Sequence, residues 1–236
     1  MRNLILACEI LEDEIKKALS AAENQDPIIW IDSSLHMFPQ KLHDKLQEEI
    51  DRLDSEGEDS LGSPQNILLS FGYCGNAVVG LKSAKSNLVF PQANDCIDLF
   101  LYKNEDKITI RSSGCYFLTR GWLKSQYSIV NEYDRYLEKY GQKKTDRIMD
   151  VMLSHYQCFT LLDTGAYPVE DFTPIASEAA RKLNMQLCTK KGNIQQLIKL
   201  FSEDWDEDFC IIPHNSQVTL DHFSHLNLSP AQGQIL

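Results

Sequence analysis

The chain has 236 residues, 43% of them hydrophobic, which is enough to bury a full core as one large domain or two smaller lobes. A formal charge of −11 at pH 7 and a pI near 5.0 argue against non-specific binding to nucleic acid or an anionic membrane surface, since both need clustered Lys and Arg. No window approaches the roughly 18 uninterrupted apolar residues of a membrane-spanning helix, so a soluble protein is expected.

The first apolar run, Leu4 to Cys8, leads into Glu9 to Ala22, where apolar residues recur at helical spacing; this predicts a strand followed by a helix. A second strand, Ile28 to Asp32, gives way to a loop with His36 and Pro39, then to a helix over Gln40 to Leu53 with Leu42, Leu46, Ile50 and Leu53 on one face. Asp54 to Asn66 is polar, rich in Gly and Ser, and reads as a surface loop. A third strand, Ile67 to Phe71, runs into the glycine-flanked turn Gly72-Tyr73-Cys74-Gly75-Asn76. A fourth, Asn87 to Pro91, meets Asn94-Asp95-Cys96 before the apolar segment Ile97 to Leu101.

Tyr116 to Thr119 with Gly121-Trp122 reads as a turn entering a helix, and Ile129 to Tyr156 as long helices broken near Gly141. The second half repeats the rhythm. Phe159 to Asp163 is a strand, Thr173 caps a helix with Pro174 in its first turn, Met185 to Cys188 is a short strand, Asn193 to Ser202 a helix, and Phe209 to Pro213 a last strand. Apolar runs alternating with helices, without hairpin signals, predict parallel sheets with crossover helices. The expected fold is α/β and Rossmann-like, in two lobes with a helical insertion: 1–125, 126–157 and 158–236.

Seven cysteines, widely spread and without a CxxC pair, predict reduced thiols in a cytoplasmic protein rather than a disulfide framework, a thioredoxin motif or a zinc ribbon. The apolar stretch before Cys8, Leu4 to Ala7, falls short of the ~7 residues an export signal needs. The motifs GxGxxG, GxxxxGK[ST], HExxH and GxSxG do not occur, so the dinucleotide, P-loop, zinc-protease and hydrolase readings lack support.

In an open parallel sheet, ligands bind at the carboxyl ends of the strands. Cys8, Cys74 and Cys96 all follow strands there, near helix amino termini expected to favour thiolates, and His36 falls on the same edge as a fourth ligand or proton carrier. Gly72 and Gly75 allow unusual backbone angles around Cys74. The bland alternative is that these are small buried side chains, as cysteine commonly is. Cys158, Cys188 and Cys210 lie before or inside apolar strands, and core packing is expected of them. Asp95 and Asp98 suit either outer hydrogen-bond acceptors or an ordinary helix start. Asp163-Thr164-Gly165 suits either a ligand site or a capped turn, and His214 with Asn215 follows the last strand. Gly75, Asn76, Thr119, Asp163 and His214 are the expected lining of a cofactor or small-molecule cleft between the lobes. His43, His155, His222 and His225 read as ordinary surface or partly buried histidines.

Several segments resemble a prokaryotic family of unknown function, domain-of-unknown-function family 1638. They are Leu6-Ala7-Cys8, Leu35-His36 with Pro39, Phe71 to Asn76, Asp95-Cys96, Tyr116 to Thr119 with Gly121-Trp122, and Leu162 to Gly165. Two positions depart from the family pattern: Asn94 stands where a histidine often precedes the Asp-Cys pair, and Cys115 where a threonine is expected. The resemblance implies an association with anaerobic one-carbon metabolism, including corrinoid-dependent methyl transfer. The expected function is therefore a metal-thiolate protein, with Cys8, Cys74 and Cys96 holding zinc or an iron–sulfur cluster and His36 or an exogenous ligand completing the site. The competing reading is a non-catalytic accessory module for a corrinoid, a tetrapyrrole, a corrinoid protein or a methyltransferase. A metal-free thiol nucleophile with His36 as its base is the third.

Overall fold

The computed structural model describes residues 2–56, 63–112 and 114–224. Residues 57–62 of the expected loop before Asn66, and His225, lie outside the described residues. In chain order the elements are β1 (Asn3–Cys8), α1 (Glu12–Ala21), β2 (Ile28–Ile31), α2 (Pro39–Glu56), β3 (Asn66–Ser70), β4 (Asn87–Pro91), α3 (Cys96–Phe100), α4 (Lys107–Ser112), β5 (Cys115–Leu118), α5 (Arg120–Lys124), α6 (Ile129–Tyr140), α7 (Gln142–Met152), β6 (Cys158–Asp163), α8 (Thr173–Lys182), β7 (Gln186–Lys191), α9 (Gln195–Phe201) and β8 (Phe209–Ile212). The described residues form a mixed α/β protein whose sheets are mainly parallel. They cluster into two compact units, one comprising the chain up to Phe100 together with the chain from Ile194, the other Leu101–Asn193.

The first unit is built on a five-stranded sheet of order β2-β1-β3-β4-β8. β1 and β3 are buried at every residue, which is why they read as continuous apolar runs rather than as an alternation. α2 opens on Pro39, whose fixed φ suits a first helical turn, and buries Leu42, Leu46, Ile50 and Leu53 along one stripe. α1 packs on α9, which lies over β3 and β4 and buries Leu197, Leu200 and Phe201.

Register in this sheet is fixed by three asparagines that open successive strands. Asn3, Asn66 and Asn87 are paired neighbours across β1, β3 and β4. Asn66 donates to Asn3 Oδ1 at 2.9 Å and Asn87 donates to Asn66 Oδ1 at 3.0 Å. The ladder continues from Asn3 to Asp26 and Glu203, and from the backbone N–H of His214 to Asn87. Because side chains alternate faces, a slip of one residue would break every rung and bury polar groups without partners.

β8 corrects the expected lobe boundaries. Phe209–Ile212 pairs antiparallel with β4 in the first sheet and does not join the strands of the second unit. The apolar run carried no signal of direction, and the returning chain is held by bonds that a strand pattern does not show: Gly80 N–H to Val218, Val218 N–H to Leu81 and Asn215 N–H to Ser83.

The second unit carries the parallel sheet β5-β6-β7. The segment expected to be only a turn entering a helix contains β5, fully buried, and then α5 with Thr119 as its cap. α6 and α7 are separated at Gly141, whose φ of 72° ends the first helix, as the break expected there requires. Thr173 does not cap α8: Phe172 holds that position, and the Thr173 hydroxyl donates to the Val169 carbonyl at 3.0 Å. β7 is an edge strand, exposed along most of its length. Cys188, on this edge strand, is exposed, and Cys158, the first residue of the central strand β6, is half-buried, which corrects the expectation of core packing for both. Cys210, in contrast, is buried and donates its S–H to the His222 carbonyl.

Candidate functional site

The carboxyl ends of β1, β3 and β4 lie along one edge of the first sheet because the three strands run parallel and in register. The chain leaves β1 for β2 on one flank and returns to β3 on the other, so the strand order reverses between β1 and β3. Cys8 is the last residue of β1 and Cys74 follows β3 by four positions. Cys96 opens α3, five residues after β4 ends at Pro91.

The turn after β3 has an unusual backbone. Cys74, Gly75 and Asn76 all adopt positive φ, at 46°, 64° and 77°. Cys74 and Asn76, on either side of Gly75, carry side chains in this region and with them strain that the surroundings must hold, and only glycine relieves it at the centre. The turn is clamped to the one after β4 by Tyr73 N–H to the Ala93 carbonyl at 2.7 Å and Cys74 N–H to the Asn94 carbonyl at 2.9 Å. Gly72 makes this approach possible, since a Cβ there would stand 2.8 Å from both Ala93 O and Asp95 N. Behind the turn, the Tyr73 ring meets Phe223 edge-on at 4.9 Å, and Phe223 stacks on Phe90 at 5.5 Å.

The three thiols act on one another. Cys96 feels Cys74, Cys8 and Asp95; Cys8 in turn feels Cys74, Glu9 and Asp32. The Cys96 thiol is pushed well above the ordinary thiol range, first by the neighbouring Cys74 thiol and then by burial. Burial pushes Cys8 up to about 12, against the opposing pull of the Ile10 backbone N–H. This corrects the expectation that helix amino termini would hold thiolates here: α3 spans only Cys96–Phe100, and loss of water outweighs its dipole. Cys8 and Cys96 are 3% exposed, so Cys74, half-buried, is the thiol solvent reaches.

His36 sits in a 3-10 turn, Ser33–Met37, started by Asp32, whose carboxylate accepts the Ser34 N–H at 2.7 Å. Burial lowers the His36 pKa below its usual value, and the Asp95 carboxylate beside it opposes the shift. Asp95 therefore links His36 to Cys96. Asp95 and Asp98 also act as helix-start residues: Asp95 accepts the Asp98 N–H, and Asp98 accepts both the backbone and side-chain N–H groups of Asn94. Asn94 thus braces the loop. Among the described residues, no three His, Cys, Asp or Glu side chains are set in an arrangement that could hold a metal ion.

The other expected site residues have mostly local roles. Gly75 and Asn76 are exposed in the left-handed turn, and the Asn76 amide oxygen accepts from the Tyr73 hydroxyl. Thr119 is buried and accepts the Trp122 N–H as the cap of α5. Asp163 accepts the Gly165 N–H and pairs with Lys191 at 2.8 Å, which is the capped-turn role. His214 does not share the edge with Gly75 and Asn76. It follows an antiparallel strand, so it stands at the opposite edge of the first sheet, where its N–H meets Asn87.

Two arrangements escaped the sequence reading although each left a trace. Asn3, Asn66 and Asn87 each open an apolar run, and Cys115 and Cys158 each begin a strand of the second sheet. Phe223 left no pattern at all.

The sequence profile of the family DUF1638, described as proteins of unknown function, matches residues 30–201, and the chain belongs to that family. The matched span holds His36, Cys74 and Cys96 but neither Cys8 nor β8. No curated protein matches the chain, and no solved structure does.

Proposed function

We propose that Cys8, Cys74 and Cys96 are the functional centre, a thiol cluster that takes up a thiophilic metal ion or an iron–sulfur cluster. The observation that carries the reading is that three parallel strands of one sheet each deliver a thiol at the same edge, one of them on a left-handed turn. The strand order β2-β1-β3-β4 supports a Rossmann-like reading of this sheet, and in such sheets the ligand crevice lies where the order reverses, between the ends carrying Cys8 and Cys74.

Buried protonated thiols are poor nucleophiles, which weighs against the metal-free reading. A bound metal would take the protons' place, releasing them and removing the repulsion among the sulfurs. Since the side chains are not set as a finished ligand shell, uptake requires them to turn toward the ion. Cys8 and Cys96 would supply buried thiolates, Cys74 the solvent-facing one, and His36 or an exogenous ligand the fourth position. Zinc held this way lowers the pKa of a bound thiol or water, which is the chemistry that the family's implied link to methyl transfer would use.

The test is elemental analysis of anaerobically prepared protein. Wild type and Cys188→Ser should carry metal in a fixed ratio to the chain, and Cys74→Ser should lose it while keeping its fold, because serine is a poor ligand for a soft metal. Equal metal in wild type and folded Cys74→Ser sinks the proposal.

A further inference from the structure

The second unit holds another pair of thiols, unrelated to the Cys8–Cys74–Cys96 centre. Cys115 on β5 and Cys158 on β6 are directly paired across the two strands, and their sulfurs stand 3.0 Å apart. In-register partners on neighbouring strands are ~4.8 Å apart, inside the span of about 4.4–6.8 Å that a disulfide bridges between Cα atoms. Cys188 is on the same face, because it pairs with Thr160 and residues two apart on a strand share a face. It lies one strand over and two residues along from Cys158, about 8 Å between Cα atoms, which exceeds that span.

We propose that Cys115 and Cys158 are a redox-active dithiol that reduces a small disulfide and is itself oxidised to an intramolecular disulfide. The order of steps follows from exposure: Cys158 is half-buried and Cys115 buried. The Cys158 sulfur, having lost its proton to solvent, attacks one sulfur of the incoming R–S–S–R. The S–S bond breaks, RS⁻ leaves and is protonated, and Cys158 carries a mixed disulfide. Cys115 then gives up its proton and attacks the Cys158 sulfur, already its neighbour, displacing the second RS⁻. Two thiols are oxidised by two electrons, and one disulfide is reduced to two molecules of RSH.

The probe is glutathione disulfide, incubated anaerobically with the full-length reduced protein, followed by alkylation and tryptic mass mapping. The expected product is peptide 112–120 joined to peptide 148–181, with no comparable product involving Cys188. Cys115→Ser should accumulate glutathione on Cys158, because the second attack is lost. Cys158→Ser should yield no joined peptide, and Cys188→Ser and Cys74→Ser should yield it as wild type does. Absence of the 112–120/148–181 product from folded wild type overturns the proposal, as does a Cys158–Cys188 link formed equally fast. Persistence of the link in Cys74→Ser separates this result from the fate of the metal reading.

Discussion

The backbone N–H of Cys74 donates to the carbonyl oxygen of Asn94 at 2.9 Å, so the turn that carries one thiol is tied directly to the loop that delivers Cys96. The tie depends on Gly72, whose missing side chain leaves room for Ala93 O and Asp95 N. Gly72→Ala should therefore cost about 1–3 kcal/mol in chemical denaturation, the range for overpacking a tight contact, because the obstructing atoms are backbone. It should also reduce metal uptake in the surviving folded protein. An unchanged denaturation midpoint would show that the two turns separate without penalty.

Asn66 is the middle rung of the asparagine ladder and 5% exposed. Replacing it by Leu leaves the Asn3 oxygen and the Asn87 amide without their partner, and a loss of about 1–3 kcal/mol is expected. Asn87→Ala should cost less, since Asn87 is half-buried and water can reach the gap. Urea unfolding of the two variants and their double mutant gives the coupling between rungs, which should be clearly non-zero.

Phe223 is completely buried between Phe90 and Tyr73. Phe223→Ala should lower stability by about 3–5 kcal/mol, as buried aromatic truncations do. Its effect should reach the thiol centre, because Tyr73 precedes Cys74: alkylation of Cys74 by iodoacetamide should become faster, while that of exposed Cys188 should not change.

The oxidation of the Cys115–Cys158 pair should depend on pH in a defined direction. Cys158 is pushed up to about 11, first by burial and then by Cys115, with Thr160 opposing and Cys188 adding a weaker push. The thiolate is the attacking species, so the rate of the first step should climb about tenfold per pH unit from neutrality upward, below the pKa. Stopped-quench mass measurements at several pH values check this. A rate flat between pH 7 and 9 would mean that Cys158 is already ionised or is not the entry point.

Much of the fold was legible because buried parallel strands must be apolar throughout and their helices must be striped. Leu4 to Cys8 and the Leu42, Leu46, Ile50, Leu53 series show both signals, and Cys8, Cys74 and Cys96 could be placed at one edge from the strand ends alone. Strand direction was not legible. Phe209–Ile212 has the same apolar character whether it runs parallel or antiparallel, and the choice decided where His214 falls. Protonation was misread for a related reason: a helix start is visible in sequence, whereas the burial that outweighs it arises only when distant segments close over Cys8 and Cys96. Edge position was equally hidden, which is why Cys188 looked internal.

The antiparallel pairing of β8 with β4 also sets an order of events during synthesis. β4 leaves the ribosome early, but its partner follows only after all of Leu101–Asn193 has been made. Until then one edge of the nascent first sheet stands open, with Leu88, Val89 and Phe90 available to any other strand. Closing it joins residues more than a hundred positions apart, a slow step compared with the local pairing of β1, β2 and β3. The intervening unit, continuous in the chain, has time to form its own sheet first, and chains stalled before residue 209 are the species most exposed to aggregation.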